Sequence, residues 1–282
     1  KDGCRIPIAN FTGQIIESKS HDNGVDTERY FKVELTLKGR KQIATIPASK
    51  FSDLRWIIEV GHGFIIQPGS SNRDHCRVAI QLNSMDAVDG VVYTHAGWRN
   101  INNEFVYLTG NGAIGANGWI DNVSISLPAT LAYSLSLPSD DLRQSIQASL
   151  DFLSTADIKV TLPLLCAVYR SVLGDCDYSL FLVGKTGSGK SVLSALAQQH
   201  FGKKMSYAAL PANWSSTANS LESIAFATKD AILVVDDFAS QSYTNKAERV
   251  LRAQGNQSGR QRLTVDLTLK TTKPPRGLII ST

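Results

Sequence analysis

The chain has few cysteines, no long apolar run and no internal repeat. None of its four cysteines, Cys4, Cys76, Cys166 and Cys176, belongs to a C-x-x-C pair, and this spacing argues against a zinc site and a disulfide framework. We therefore expect free thiols in a reducing compartment, the cytoplasm. No 18 consecutive residues are apolar and no signal peptide is visible, so we expect no transmembrane helix and no membrane partner.

The composition that is present is typical of a folded protein. Of the 282 residues, 43% are hydrophobic and 19% are charged, which is enough apolar material for a large core. Residues 1–157 carry 14 basic and 17 acidic side chains, whereas residues 158–282 carry 15 and 8. The second half is therefore net basic, and eight of its basic residues lie within 246–276 beside only two acidic ones. Such a segment indicates either a polyanion partner or a solvated surface that happens to be basic.

Apolar periodicity divides the chain into three parts. Short β-branched runs predict strands at 11–20, 29–39 and 41–47, helices at 48–61 and 71–85, and β-hairpins over 91–119 with a turn at Asn102-Asn103. Helical patterns follow at 137–155 and 159–174. We predict a β-rich α+β domain over 1–138, serving as a collar or DNA guide, a helical connector over 139–176, and an α/β core over 177–282. Because the chain starts at Lys1 rather than Met, we expect it to be part of a longer protein.

The strongest motif is GKTGSGKS, which fits G-x-x-x-x-G-K-[ST] without departure. It comprises Gly184, Lys185, Thr186, Gly187, Ser188, Gly189, Lys190 and Ser191. Glycines allow a tight turn whose N–H groups face phosphates, the lysine reaches the β- and γ-phosphates, and the serine hydroxyl ligates Mg²⁺. An apolar strand precedes the loop and a helix follows it, so the sequence predicts a site for ATP and Mg²⁺.

A second motif, DAILVVDDF at 230–238, predicts a buried parallel strand that ends in two carboxylates. We expect Asp236 to hold Mg²⁺ and Asp237 to orient or deprotonate the attacking water. A strand at 204–211 and a helix at 217–229 are expected between the motifs. The predicted fold is an α/β P-loop NTPase core, AAA+-like, with a parallel sheet and helices on both faces.

Other nucleotide-binding classes lack support in the sequence. A GTPase would carry a guanine-reading N-K-x-D after the acidic strand, and an ABC ATPase would carry LSGGQ; neither occurs. The segment after Asp237 instead reads as a helix at 243–254, a basic hairpin and an apolar strand at 277–281. The ending RLTVDLTLKTTKPPRGLIIST therefore indicates a class of nucleotide-binding protein other than these two.

Four stretches together carry a family resemblance: GWRNINNEFVYLTGNGAIG, LVGKTGSGKS, VDDF and the ending SGRQRL…LKTTKPPRGLIIST. Over residues 30 to 282 the chain resembles a bacterial and phage family of unknown function, found in primase–helicase proteins of mobile elements and similar to superfamily 3 and MCM-like ring helicases. The resemblance implies a hexameric ring, a DNA-touching hairpin and a following strand that ends in a phosphate sensor. Family members continue with Gly-Glu and a helical lid, so we expect the core to be truncated before that lid.

The resemblance assigns candidate roles in the last segment. The sensor is expected at Ser281 or Thr282, and the DNA contacts at Lys270 and Lys273, placed at the hairpin turn. A ring ATPase also needs an arginine from the neighbouring subunit. The candidates are Arg260, Arg262 and Arg276.

The sequence thus predicts an ATP-dependent DNA helicase or translocase that acts as a ring in the replication of a phage or mobile element. Its expected partners are single-stranded or forked DNA, further copies of the chain and a primase. One alternative is an ATP-switched DNA-binding assembly or loading factor without motor activity. Another is a small-molecule kinase.

Overall fold

Two compact units make up the chain. The computed structural model describes residues 7–135, 142–259, 262–263 and 269–282. The first unit ends at Val92, and the second comprises Tyr93–Thr282 together with Asn23–Val25. The boundary differs from the one expected near residue 138, because Tyr107, Leu131 and Tyr133 belong to the same hydrophobic core as the later strands.

The first unit is an antiparallel sheet covered on one face by short helices. Its strands are β1 (Thr12–Asp22), β2 (Thr27–Leu37), β3 (Arg40–Pro47) and β4 (Val88–Tyr93), in the order β3-β2-β1-β4. Its helices are α1 (Ala48–Phe51), α2 (Ile57–Val60) and α3 (Asn72–Leu82). The helix expected over 48–61 is two short helices, because Leu54 lies between them with a left-handed φ of 51°.

The second unit begins with a meander of four antiparallel strands: β5 (Gly97–Ile101), β6 (Glu104–Thr109), β7 (Gly112–Gly115) and β8 (Gly118–Ile120). The expected turn at Asn102-Asn103 is present, and both residues have positive φ, as a type I′ hairpin requires. The short strand β9 (Ser124–Ile125) follows.

A parallel sheet with the order β10-β15-β12-β11 forms the centre of the second unit. Its strands are β10 (Ser179–Phe181), β11 (Ala212–Asn213), β12 (Ile232–Asp236) and β15 (Leu278–Ser281). The helices of this unit are α4 (Leu142–Asp151), α5 (Ile158–Ser171), α6 (Lys190–Gln198), α7 (Ala218–Ala227) and α8 (Ser240–Gly255). β12 and β15 are buried almost throughout, as their continuous apolar runs predict.

Two expectations for this unit were wrong in detail. Residues 204–211 form turns, and the strand beside β12 is the two-residue β11 that follows them. The basic hairpin exists as β13 (Arg262–Leu263) paired with β14 (Leu269–Lys270). Lys270 therefore lies in β14, and Lys273 follows that strand. Neither lysine is at the expected turn, because the chain that joins the paired strands is residues 264–268, outside the described residues. Within the described ranges no helix is long and apolar enough to cross a membrane.

Candidate functional site

The GKTGSGKS loop lies between the carboxyl end of β10 and the amino end of α6. Residues 183–188 are exposed, and Gly189 caps the helix with φ 82°. Gly187 has a similar φ of 79°, and nothing lies within 4 Å of a Cβ built on either glycine. The glycines are thus required by the left-handed backbone and not by close packing. The exposed loop leads directly into the amino end of α6, and a helix amino end after a glycine-rich loop is the geometry of an anion site.

Lys190 is directed back over this loop. Its Nζ donates hydrogen bonds to the backbone oxygens of Gly184 (2.9 Å) and Lys185 (3.0 Å). These acceptors are neutral carbonyls, whereas a phosphate oxygen carries a negative charge that attracts the ammonium group directly. Phosphate oxygens at the loop would therefore compete well for the ammonium group.

Three predicted residues meet at the carboxyl edge of the sheet. Ser191 Oγ donates to Asp236 Oδ1 over 2.8 Å, and Thr282 Oγ1 donates to the same oxygen. The parallel register explains this meeting, since Val235 lies beside Ser281 and the next residue of each strand is Asp236 or Thr282. We call Ser191, Asp236 and Thr282 the carboxyl-edge cluster.

The two sensor candidates have different environments. Ser281 is 1% exposed, and its hydroxyl oxygen accepts a hydrogen bond from Trp214 Nε1 at 2.9 Å. Thr282, the next residue, directs its hydroxyl to Asp236. Successive side chains of a strand point to opposite faces, so only one of the two can reach the cluster. That residue is Thr282.

The carboxyl-edge cluster suits a hard cation. Mg²⁺ prefers oxygen ligands, takes one or two from protein and fills the remaining positions with water and phosphate oxygens. Asp236 and Ser191 supply one carboxylate and one hydroxyl next to the loop. The described residues contain no group of three or more His, Cys, Asp or Glu side chains that could hold a metal without such outside ligands.

Asp237 lies outside the cluster. It is exposed, and its φ of 61° is left-handed, a conformation that aspartate tolerates better than most residues. Non-glycine residues in this conformation cost of order 1–3 kcal/mol and occur often at functional sites. The expected role of Asp237 in orienting water stays a prediction.

Trp214 contacts the backbone of Asp236 and the side chain of Ser281, and it was not identified from the sequence. Its backbone N–H donates to Asp236 O at 3.0 Å, and its ring packs edge-on against Phe238 at 5.8 Å between centroids. Lys246 Nζ in α8 donates to the backbone oxygens of Trp214 (2.7 Å) and Ser216 (2.5 Å). A tryptophan directly after β11 was the available signal, but its partner Ser281 is 67 residues away in sequence.

The basic candidates divide by position. Arg276 is only 9% exposed; its Nε donates to Phe226 O at 2.7 Å, and its guanidinium lies 3.7 Å from the Phe226 ring centroid. This burial disfavours Arg276 as an arginine supplied to a neighbouring subunit. Lys273 is exposed. Arg262 and Lys270 are paired through their backbones, and Arg260 lies outside the described residues.

The opposite edge of the sheet holds a second polar group of residues, His95, Lys229, Asp230 and Arg276, which we call the amino-edge cluster. Asp230 is 1% exposed, and its Oδ2 accepts from Trp98 N at 2.8 Å and from Lys229 Nζ. Burial, together with the positive charges of Arg276 and Lys229, lowers the pKa of His95 to about 4, although a backbone hydrogen bond with Ala96 opposes the shift. His95 is therefore neutral at pH 7.

A family model described as "Domain of unknown function (DUF927)" matches residues 78–274 of the chain. The match covers the meander, the GKTGSGKS loop, the acidic strand and the hairpin, and it ends before β15. No curated protein matches the chain.

Proposed function

The chain belongs to the DUF927 family, and from the geometry of its site we propose that it is a Mg²⁺-dependent ATPase with an AAA+-like P-loop core. The observation that carries the proposal is the meeting of Ser191, Asp236 and Thr282 beside a glycine loop at a helix amino end. Sites for nucleotides commonly lie at the carboxyl ends of parallel strands. Lys190, Ser191 and Asp236 lie at this same edge of the sheet, which supports the proposal.

Each residue has a defined task in this proposal. Lys190 exchanges its two carbonyl acceptors for β- and γ-phosphate oxygens, while the N–H groups of the loop bind the same phosphates. Ser191 and Asp236 would hold Mg²⁺, and the ion would offset the charge that develops on the transferred phosphoryl group. Thr282 fixes the carboxylate of Asp236 by its hydrogen bond. Asp237 orients the attacking water or accepts its proton.

We extend the proposal to an ATP-driven DNA helicase or translocase that works as a ring, with a hexamer as the expected state. The support is the basic segment 246–276, whose paired strands β13 and β14 precede β15 in the chain. β15 ends at the carboxyl-edge cluster, so one continuous segment joins the basic hairpin to the proposed nucleotide site. Exposed Lys273 is the described side chain that we expect to touch DNA phosphates.

The test is ATP turnover with and without single-stranded DNA, with Lys190→Ala as the inactive reference. A motor should turn over ATP several-fold faster with DNA, and Lys190→Ala should abolish both rates. Binding of DNA without any change in turnover would favour the loading factor, and phosphate transfer to a metabolite would favour the kinase. Absence of ATP binding to the parent chain would overturn the ATPase proposal itself.

The DNA contact has its own test. Lys273→Ala should weaken DNA affinity and lower the slope of log affinity against log salt by about one unit per lost phosphate contact. ATP affinity should stay unchanged in the same variant. Ser258→Ala, at an exposed position of the basic segment without a charge, is the matched control. An unchanged salt slope would remove Lys273 from the DNA contact.

A further inference from the structure

The outer edge of β3 in the first unit forms a second site, and we propose that it binds an extended segment of a partner protein by strand addition. The segment would pair with the backbone of residues 41–45. Its alternate side chains would be apolar, and one of its basic side chains would lie at Glu59. This site is separate from the proposed nucleotide site and does not depend on it.

The backbone of β3 has unused hydrogen-bonding groups on its outer side. β2 and β3 are joined by the two-residue turn Lys38-Gly39, whose φ angles are 48° and 77°, and the closing pair is Leu37 with Arg40. In such a turn the closing pair is hydrogen-bonded, and inward and outward residues then alternate. Lys41, Ile43 and Thr45 therefore direct their N–H and C=O groups away from β2.

These outward groups have no hydrogen-bond partner within the part of the chain that the structure describes. Three donors and three acceptors in one row form a template for another strand. The row ends at Pro47, which has no N–H. The available stretch thus spans five residues, enough to pair with a short extended peptide.

A groove follows this edge. It has a volume of about 480 Å³ and is lined by Gln42–Ile46, Trp56, Glu59 and Val60. Successive side chains of a strand point to opposite faces, so a groove lined by five consecutive residues lies along the strand edge and not over one face. This shape fits an extended chain better than a compact small molecule.

The groove also specifies the chemistry of its occupant. Trp56, which is 5% exposed, and half-buried Val60 form a mostly buried apolar wall, and Ile43, which is 55% exposed, offers most of the accessible apolar surface. Glu59 is exposed, and its carboxylate makes no ion pair with any described residue. Alternate apolar side chains would cover the wall, and lysine or arginine would neutralise Glu59.

Features that hinder pairing with another chain occur only at the two ends of β3. Natural edge strands are commonly blunted by charged residues and proline, and β3 has Arg40 and Lys41 at one end and Pro47 at the other. The central residues Gln42–Thr45 carry no charge. We infer that a partner strand over residues 41–45 meets its least hindrance at these uncharged central residues.

The test measures peptide binding to the full chain by fluorescence polarisation. The probe is a labelled nonapeptide of alternating threonine and valine with a central lysine. Its controls are the same peptide with methylated backbone nitrogens and the same peptide with central glutamate. We expect the lysine peptide to bind, the methylated one not to bind, and the glutamate one to bind about fivefold more weakly. Equal binding of the methylated peptide, or no binding of the lysine peptide at millimolar concentration, would overturn the proposal.

Protein variants locate the site. Ile43→Pro removes an outward N–H and should abolish binding, whereas Ile43→Thr keeps that N–H and should bind within about twofold of the parent. Glu59→Lys should reverse the preference between the lysine and glutamate peptides. If Ile43→Pro does not fold, this reversal alone tests whether the peptide binds beside Glu59. Unchanged preference in Glu59→Lys counts against the proposal. Light scattering also measures the oligomeric state. If the parent chain is a dimer and Ile43→Pro is a monomer, the strand that pairs with β3 belongs to a second copy of this chain, and the proposal of a different partner protein is wrong.

Discussion

An aspartate lies at each end of β12, Asp230 before the strand and Asp236 as its last residue, and the two differ in burial and in the donors that they contact. Asp236, at the carboxyl edge, is half-buried and accepts hydrogen bonds from two hydroxyl groups. Asp230, at the amino edge, is buried and accepts from a backbone N–H and an ammonium group. Only six residues separate them in the sequence.

The difference lies in how easily each carboxylate can change partners. Hydroxyl groups are neutral donors, and they can rotate to share a cation with the carboxylate. Asp230 cannot change partners at a low cost in free energy, because without the ammonium group of Lys229 its buried carboxylate would be left without a compensating charge. An acidic residue beside mobile neutral donors is thus a candidate for function, whereas a buried one whose Oδ2 accepts from an ammonium group and a backbone N–H serves the fold.

The largest contrast is expected from the same substitution at both edges. Asp236→Asn should lower ATP turnover by about 100-fold or more, because the variant loses the charge that we propose binds Mg²⁺. Its thermal unfolding temperature should stay close to that of the parent. Normal turnover in Asp236→Asn would place hydrolysis elsewhere in the chain.

Asp230→Asn should behave in the opposite way. The change leaves the partly exposed ammonium group of Lys229 beside a neutral amide, with its bond to Trp98 O retained, and we expect the free energy of unfolding to fall by about 3 kcal/mol. Denaturant unfolding, followed by tryptophan fluorescence, measures this loss. Asp53→Asn, at an exposed position, is the control and should shift stability by less than about 0.5 kcal/mol.

The amino edge should also make stability depend on pH. The folded pKa of His95, about 4, lies below its unfolded value of 6.5, so the unfolded chain binds more protons between these values. The free energy of unfolding should therefore be fully retained above pH 6.5 and fall by about 3 kcal/mol as pH drops towards 4.

Urea unfolding at several pH values checks this loss by comparing variants. His95→Gln should show a smaller decrease between pH 7 and pH 5 than the parent, whatever its stability at pH 7. His62→Gln, at an exposed histidine, should follow the parent curve. Parallel curves for all three proteins would remove His95 as the cause.

A smaller effect is expected at the hydroxyl of Thr282. Thr282→Val keeps the shape and removes the donor to Asp236, and we expect turnover to fall about tenfold with little change in ATP affinity. Thr282→Ser keeps the hydroxyl and should retain most of the rate. If Thr282→Ser falls as far as Thr282→Val, the methyl group and not the hydrogen bond is important.

The smallest effect is expected at Ser281. Ser281→Ala leaves Trp214 Nε1 without its acceptor in a buried site, which should cost about 1–3 kcal/mol of stability. Turnover per folded molecule should change less than in Thr282→Val. Differential scanning calorimetry and steady-state kinetics on the same samples separate the two effects, and a reversed order would exchange the roles of the two residues.

The sequence predicted the positions of the longer strands of the second unit better than it predicted which segments pack against them. The strands expected just before the GKTGSGKS loop, at 230–238 and at 277–281 contain β10, β12 and β15, because continuous apolar runs bounded by polar residues are a local pattern. The strand expected at 204–211 was misplaced, since β11 is only two residues long and carries little pattern. The boundary at 138 failed to anticipate that Tyr107 and Tyr133 join the core of the parallel sheet.

By itself, the sequence determined the chemistry that this chain can offer at its carboxyl edge: a glycine loop, Lys190, Ser191 and a buried strand that ends at Asp236. These features are encoded within a few consecutive residues, and local backbone preferences suffice to express them. The tertiary structure alone decided that Thr282 and not Ser281 reaches Asp236, that Arg276 is buried, and that Trp214 holds Ser281. Those outcomes depend on pairs 46 to 67 residues apart, and only the strand order and register bring such pairs together.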